Sequence, residues 1–294
     1  WPESLFFLAL RLCGVNLIYT AHDVLPPEKK RLDFAIKYLV YKAAKRIIVH
    51  SKYLKKMLVD TFSVDEDKIC VVPHGNFDNY LPEQPISQAA ARQRLGLQAT
   101  DQVVLLFGII RRYKGVGLLL DAFEQAARTN KNLRLVIAGS ALSDELKQKY
   151  AQKIDELAAK ERILYHAEFI PNEKVADYFT AADAVALPYR NIYHSGVLHL
   201  AYSFARPVIA TKVGDFPETI EHGKSGYLVE KDDTAALAQA LLTAFADPGK
   251  LAAMGTYARE HSEKKYSWHN VARQTIQVYA SLAEPRQAEA PAHT

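Results

Sequence analysis

Short apolar, β-branched runs alternate with amphipathic helical stretches along almost the whole of this chain. Alternation of this kind predicts parallel strands joined by helical crossovers, which is the pattern of a doubly wound α/β sheet. The strands predicted in the second part of the chain are Val103–Phe107, Leu133–Ala138, Ile163–His166, Ala184–Leu187, Val208–Thr211 and Tyr227–Val229. The helices predicted with them are Gly117–Arg128, Asp144–Lys160, Glu173–Ala182, Val197–Ala205, Thr234–Phe245, Pro248–Ser262 and Trp268–Leu282.

The first part of the chain shows the same alternation, but it is shorter. Its predicted elements are helix Leu5–Cys13, strand Asn16–Thr20, a basic helix near Lys30–Ala44, strand Arg46–His50, a helix from Ser51 to Thr61 and strand Ile69–Val72. Three strands are too few for a complete doubly wound half. We therefore expect the remaining strands of this domain upstream of Trp1.

Composition shifts predict the domain boundaries. Proline and glycine in Pro73–Pro85 indicate a linker. We expect the remnant of a first domain over residues 1–80 and a complete second domain over residues 81–265. A helix over residues 266–283 is expected to cross back to the first domain, and residues 284–294, rich in Ala, Pro and Glu, to form a tail.

Charge and cysteine content narrow the function classes. The net charge of +4 is too small to indicate a nucleic-acid partner. Basic residues concentrate in Pro26–Asp60, which fits either a solvated helical face or attraction to an anionic membrane or polyanionic acceptor. Cys13 and Cys70 stand in apolar contexts without metal-ligand spacing, which predicts buried thiols in a reducing compartment.

Localisation signals are weak. Leu5–Tyr19 is apolar but is interrupted by Arg11 and is too short to span a bilayer. The chain begins at Trp1 and shows no signal peptide. We therefore expect a fragment of a longer protein, with targeting information upstream of Trp1. The reducing compartment that the cysteines indicate predicts a cytoplasmic protein, with peripheral contact at the inner face of the membrane as a further hypothesis.

The stretch Ser195–Glu218 predicts an anion-binding edge. The small residues Ser195 and Gly196 precede an apolar helix, and the strand after it ends near Gly214 and Glu218. Open α/β sheets bind ligands at the carboxyl ends of their strands, where helix N-termini present unpaired N–H groups. A phosphate-bearing substrate is expected here.

The stretch Phe107–Gly115 combines a strand end, a basic turn and a helix start. Gly108 allows close approach of the backbone to a ligand, and Arg111, Arg112 and Lys114 add positive charge. This arrangement suits a diphosphate, and it equally suits an exposed basic loop. It has neither the Walker order nor the third glycine of a dinucleotide-binding loop.

His22 and Asp23 follow the first predicted strand, where a neutral imidazole could bond sugar hydroxyls. A loop histidine satisfied by backbone groups is the alternative. Tyr193 and His194 precede Ser195 and could stack on a base or a sugar face.

In order, these motifs resemble the retaining family 4 glycosyltransferases of the GT-B fold over nearly the whole chain. The motifs are His22-Asp23-Val24, Pro73-His74-Gly75, Gly108 with Arg111 and Lys114-Gly115, Ala182-Asp183 with Leu187-Pro188, Ser195–Leu198 and Pro207–Glu218. The resemblance implies an α/β GT-B protein of two Rossmann-like doubly wound domains facing a crevice, the first one incomplete. It also implies a hexosyltransferase that uses a nucleotide diphosphate sugar, retains anomeric configuration and needs no metal or cofactor.

The resemblance also assigns roles. Lys114 matches the lysine that holds the donor diphosphate, and Arg111 is the candidate for the family arginine, at whose position this chain has Ile109. Backbone N–H groups of Gly196, Val197 and Leu198 would face the diphosphate. His22 matches the acceptor-domain histidine near the transferred sugar and is the catalytic candidate.

This chain departs from the family at the paired glutamates, which align with Tyr193 and Ala201. Neither can bond sugar hydroxyls as a carboxylate does. We expect Tyr193, His194, Ser195 or Glu218 to meet the donor hydroxyls instead. The acceptor is expected to be a glycan or a lipid-linked sugar. A nucleotide-sugar epimerase of the same fold and a non-catalytic sugar-nucleotide-binding module are the alternatives.

Overall fold

The computed structural model describes residues 2–24 and 31–283. They form two compact units: unit 1 comprises the described residues of Trp1–His74 and Ser267–Thr294, and unit 2 is Gly75–Tyr266. The boundaries expected near residues 80 and 265 stay predictions, since compactness alone does not define a domain that folds by itself. The predicted tail, residues 284–294, lies outside the described residues.

The predicted alternation of strands and helices is confirmed. In unit 1 the elements are α1 (Pro2–Leu12), β1 (Ile18–Thr20), α2 (Arg31–Ala43), β2 (Arg46–Val49), α3 (Lys52–Phe62) and β3 (Ile69–Val71). In unit 2 they are α4 (Gln88–Arg94), β4 (Gln102–Phe107), α5 (Val116–Thr129), β5 (Leu133–Ala138), α6 (Asp144–Asp155), β6 (Ile163–His166), α7 (Asn172–Ala181), β7 (Ala184–Leu187), α8 (Gly196–Ser203), β8 (Val208–Thr211), α9 (Phe216–Thr219), β9 (Gly226–Val229), α10 (Thr234–Phe245) and α11 (Pro248–Tyr266). The last described helix, α12 (Trp268–Ala283), belongs to unit 1.

Both sheets are parallel. Unit 1 has the strand order β1-β2-β3, and unit 2 has the order β6-β5-β4-β7-β8-β9. In unit 2 the strands therefore proceed outward from β4 in one direction and from β7 in the other. The reversal between β4 and β7 is the topological switch point of a doubly wound sheet.

Alternate residues of β4 build the two layers of unit 2. Val104 and Leu106 pack on one face with α5 and α10, whereas Val103 and Leu105 pack on the other with α7 and α8. The period of two in a strand sends neighbouring side chains to opposite faces. A strand covered on both faces has a near-continuous apolar run, which explains why residues 103–107 predicted β4 correctly.

The Ala182-Asp183 motif has a structural role. The Asp183 carboxylate accepts hydrogen bonds from the Arg92 guanidinium at 2.7 Å, from the Val103 amide at 2.7 Å and from the Gln88 amide at 3.0 Å. Arg92 is buried, so its charge requires this partner. The motif therefore ties α4 to the starts of β4 and β7.

Several predicted details were wrong. Helix α6 ends at Asp155 rather than Lys160, and a 3₁₀ turn at Lys160–Arg162 leads into β6. The carboxylate of Glu124 accepts from the Ala159 amide at 3.0 Å, which holds the segment in a non-helical path. Cys13 is exposed and Cys70 is half-buried, so the expectation of buried thiols fails.

The predicted linker Pro73–Pro85 is packed from Gly75 onwards. The Phe77 amide donates to the Ser203 hydroxyl at 3.1 Å, and Phe77, Tyr80 and Leu81 pack against the core of unit 2. The proline and glycine residues of this segment therefore mark a turn of the chain, and the part from Gly75 onwards is not a free linker.

Candidate functional site

The switch point gathers the donor-site candidates of unit 2. The chain leaving β4 carries Gly108, Arg111 and Lys114, and the chain leaving β7 carries the loop that runs into α8. Since parallel strands end at the same edge of a sheet, both segments lie where such folds bind ligands.

Lys114 has an unusual environment for an ammonium group. The residue is 6% exposed, and its Nζ donates to the Phe107 carbonyl at 3.0 Å and lies 5.6 Å from the centre of the Tyr189 ring. Within the described part of the chain, no carboxylate forms an ion pair with it. Burial, with a smaller contribution from Arg111, lowers the pKa of Lys114 to about 8. A buried cation without a counter-ion is favourably placed to receive an anion.

The surroundings of Gly108 show that the end of β4, Lys114 and the start of α8 lie close together. Its φ is +89°, and a Cβ added there would lie 2.9 Å from Lys114 Nζ and 3.5 Å from Val197 Cγ2. The end of β4, the lysine and the first turn of α8 therefore converge within a few ångströms. The left-handed backbone at Gly108 favours glycine, and a Cβ there would displace the Lys114 ammonium.

The two arginines of the basic turn differ. Arg111 is half-buried, and its charge acts on Lys114. Arg112 is exposed and pairs with Glu145 at 3.1 Å. The structure thus brings Arg111, rather than Arg112, into the electrostatic environment of Lys114.

Helix α8 begins beside this cation. Ser195 is buried and occupies the N-cap position, but its hydroxyl makes no capping hydrogen bond; it lies instead near the Tyr189 hydroxyl. The amides of Gly196 and Val197 belong to the first turn and have no helix carbonyl to bond. They remain suited to a phosphate, which a helix N-terminus attracts.

The other donor-site candidates are spread around this centre. Tyr193 and His194 are half-buried in the loop before α8, and Leu198 is buried within the helix. Ala201 is fully buried, so a carboxylate at this position would face packed side chains.

Glu218 lies apart from these residues in the chain, on α9 after β8, and is exposed. Its charge acts on Asp215, whose carboxyl is buried. Burial chiefly, and Glu218 in addition, raise the pKa of Asp215 to about 7. The sequence reasoning missed Asp215, although it stands within the motif Pro207–Glu218.

A separate cavity of about 640 Å³ also lies in unit 2, and its basic lining includes Arg112, Lys153 and Arg190. Each of the three is ion-paired, with Glu145, Asp121 and Asp232 respectively. Three of the four basic side chains that line this cavity are therefore compensated, and the fourth, Lys149, is an exposed surface lysine, whereas Lys114 is buried without a carboxylate partner among the described residues. This contrast favours the Lys114 site for an anionic ligand.

In unit 1, His22 follows β1 and is exposed. Its Nδ1 lies 2.9 Å from Nε2 of His50, the residue directly after β2. His22 was predicted from the sequence as a site residue, whereas His50 was not. The signal was present, because histidines follow all three strands of this sheet: His22, His50 and His74.

The described part of the basic segment Pro26–Asp60, for which membrane contact is expected, lies in unit 1. Lys29 and Lys30 of the basic segment lie outside the described residues. Lys37 donates to the Tyr19 hydroxyl at 2.7 Å, and Lys55 and Lys56 pair with Glu66 and Asp60. Over residues 2–24 and 31–283, no helix has the length and apolar character of a membrane span. Over the same residues, no group of three His, Cys, Asp or Glu side chains is arranged to hold a metal ion.

Known proteins resemble this chain over most of its length. Alpha-maltose-1-phosphate synthase of Mycolicibacterium smegmatis is 28% identical over 94% of this chain and 76% of its own length. D-inositol 3-phosphate glycosyltransferase of Corynebacterium urealyticum is 31% identical over 76% of this chain and 53% of its own. The chain spans 53–60% of the length of several such relatives.

Solved structures show the same fold. Anabaena HepE in complex with UDP superposes with a TM-score of 0.82 at 22% identity, covering 95% of this chain and 75% of its own. Sucrose-phosphate synthase of Thermosynechococcus elongatus gives 0.80 at 23% identity, covering 94% and 71%. These likenesses confirm the GT-B fold class that the motif order predicted.

Two family descriptions match the chain, and they follow one another along it. "Glycosyltransferase Family 4" matches residues 1–76, and "Glycosyl transferases group 1" matches residues 87–261. The chain belongs to the group 1, family 4 glycosyltransferases of the GT-B fold.

Proposed function

We propose that this chain transfers a hexose from a nucleotide diphosphate sugar to a glycan or lipid-linked acceptor, with retention of configuration and without a bound metal. The observation that carries the proposal is the buried Lys114 ammonium, which has no carboxylate partner among the described residues and stands beside the start of α8. HepE, whose solved complexes contain UDP and UDP-glucose, supports a nucleotide-sugar donor.

The proposed chemistry places positive charge where the leaving group develops negative charge. Lys114, Arg111 and the first amides of α8 would bind the diphosphate and stabilise it as the bond to the sugar breaks. Fixed side-chain charges and a helix dipole would then take the role of a divalent cation. His22 would contact the transferred sugar, with Tyr193, His194, Ser195 or Glu218 meeting donor hydroxyls.

A donor screen followed by product analysis tests the proposal. A panel of nucleotide sugars is scanned by thermal shift, since a bound ligand raises the melting temperature. The donor that stabilises most is then incubated with candidate acceptors, with and without EDTA, and the anomeric configuration of the product is read by NMR. Product of retained configuration in the presence of EDTA is expected. An inverted product, or activity that EDTA abolishes, contradicts the proposal.

A second function follows if Tyr193 and Ala201 take the places of the family's paired glutamates, as the resemblance implies. Such a chain would be a sugar-nucleotide-binding module that does no chemistry. Stabilisation by a nucleotide sugar without sugar release from any donor would support this function instead. Conversion of the free donor to its epimer would indicate the epimerase alternative.

The pH dependence of nucleotide binding follows from Lys114. Its pKa of about 8 in the free protein lies below the ordinary value of a lysine, and a bound diphosphate should raise it again. Affinity for UDP is therefore expected to stay constant just below pH 8, where Lys114 is already protonated in the free protein. Above pH 8 the affinity should fall roughly tenfold per pH unit, until the pH reaches the pKa of Lys114 in the UDP complex. Isothermal titration calorimetry across this window measures the break. The Lys114→Arg variant, whose guanidinium keeps its charge, should show none.

A further inference from the structure

Histidines follow the three parallel strands of unit 1, and the first two are hydrogen-bonded. Nε2 of His50 lies 2.9 Å from Nδ1 of His22, and Nδ1 of His50 lies 3.0 Å from the Val72 carbonyl oxygen. The His22 and His50 ring centres are 4.8 Å apart, and those of His50 and His74 are 5.5 Å apart. His50 is half-buried between an exposed histidine and the backbone.

These contacts determine the positions of the protons. A carbonyl oxygen only accepts hydrogen bonds, so Nδ1 of His50 must carry the hydrogen that it shares with Val72. The pKa of His50 is lowered to about 4, chiefly by burial. The charges of His22 and His74 also lower it, whereas the hydrogen bond to Val72 acts in the opposite direction. His50 is therefore neutral near pH 7, and its Nε2 has a lone pair and no hydrogen. The hydrogen between the two rings consequently belongs to Nδ1 of His22.

We propose that His50 is a positioning residue that holds His22 in the Nδ1–H tautomer and leaves Nε2 of His22 to accept a hydrogen bond from a hydroxyl of the sugar substrate. The partner of one ring nitrogen sets the protonation of the other. The Val72 carbonyl thus acts on His22 through His50. The substrate contact rests on the proposed function, whereas the tautomer is a property of unit 1 that can be measured without any donor.

Nitrogen-15 NMR of the whole protein tests the tautomer directly, because the two ring nitrogens have distinct shifts when protonated and when bare. The spectrum is recorded at about pH 8, above the ordinary pKa of a histidine. In the wild type we expect hydrogen on Nδ1 of His22 and a bare Nε2. Hydrogen on Nε2 of His22 in the wild type overturns the proposal without need of a variant.

Three substitutions separate positioning from packing. His50→Leu fills the space without an acceptor and should release His22 into a mixture of tautomers, whereas His50→Gln offers an amide oxygen to the same hydrogen and should keep Nδ1–H. His74→Gln, one strand further along, should leave the His22 signals unchanged. An unchanged tautomer in a folded His50→Leu protein contradicts the proposal.

Turnover with the best donor tests the substrate contact. We expect His50→Leu to lower kcat about tenfold, the effect of one lost hydrogen bond, with partial recovery in His50→Gln. A changed tautomer with an unchanged kcat overturns the contact between Nε2 and the sugar. Failure of the protein to transfer any sugar would count against the proposed function and would leave the NMR result standing.

Discussion

Replacing Lys114 by methionine is expected to weaken UDP binding about 100-fold, as measured by isothermal titration calorimetry at neutral pH. Hydrogen bonds from a charged donor to a phosphate contribute about 1.5–3 kcal/mol each, which corresponds to about 100-fold in affinity near the upper end. The Lys114 ammonium is buried at the switch point, where we expect it to make such bonds to the diphosphate. Methionine has a similar length and fills the space beside the Tyr189 ring. Because burying an unpaired ammonium is unfavourable, the ligand-free variant should be at least as stable as the wild type.

The control for this variant is Arg112→Met. Arg112 belongs to the same basic turn but is exposed and pairs with Glu145. Its loss should change UDP affinity less than about threefold, since exposed ion pairs contribute little. Equal affinities of the Lys114→Met protein and the wild type would remove Lys114 from the donor site.

Replacing Gly115 by alanine is expected to lower the free energy of unfolding by about 3 kcal/mol or more, as measured by urea denaturation. Gly115 has φ +69°, and a Cβ there would lie 1.9 Å from the Pro188 carbonyl oxygen. Because the added Cβ would meet a backbone atom, which cannot rotate away as a side chain can, the start of α5 and the segment after β7 must move apart to make room for it. Since Tyr189 follows Pro188 and lies under Lys114, UDP affinity should fall as well.

Gly223→Ala is the matched control, because φ there is +80° and nothing lies within 4 Å of an added Cβ. This substitution should lower the free energy of unfolding by about 1 kcal/mol, because only the left-handed backbone conformation opposes a side chain there. Equal losses in the two variants would show that the contact with Pro188 does not contribute to stability.

The sequence predicted the layers of this fold well because strands covered on both faces contain unbroken apolar runs, as residues 103–107 of β4 and the whole of β7 do. It missed α4 and α9, which are short and take their stability from tertiary contacts such as the Arg92–Asp183 pair. Local periodicity carries no information about such contacts.

Part of the candidate site was predictable, because some of its features are visible in the local sequence. A glycine, a lysine and a helix start at strand ends indicate an anion site, and the structure brings Gly108, Lys114 and Val197 together. Three features needed the folded chain: the burial of Lys114, the pairing of Arg112 away from it, and the contact of His22 with His50. Each depends on residues distant in sequence or on the direction of a side chain.

A crystal structure of the protein with UDP tests the central claim most directly. We predict that the diphosphate oxygens lie within hydrogen-bond distance, about 3 Å, of Lys114 Nζ and of the Gly196 and Val197 amides. UDP bound instead in the cavity lined by Arg112 and Arg190, with its phosphates on these two arginines, would contradict the assignment of Lys114 and the start of α8 to the donor site.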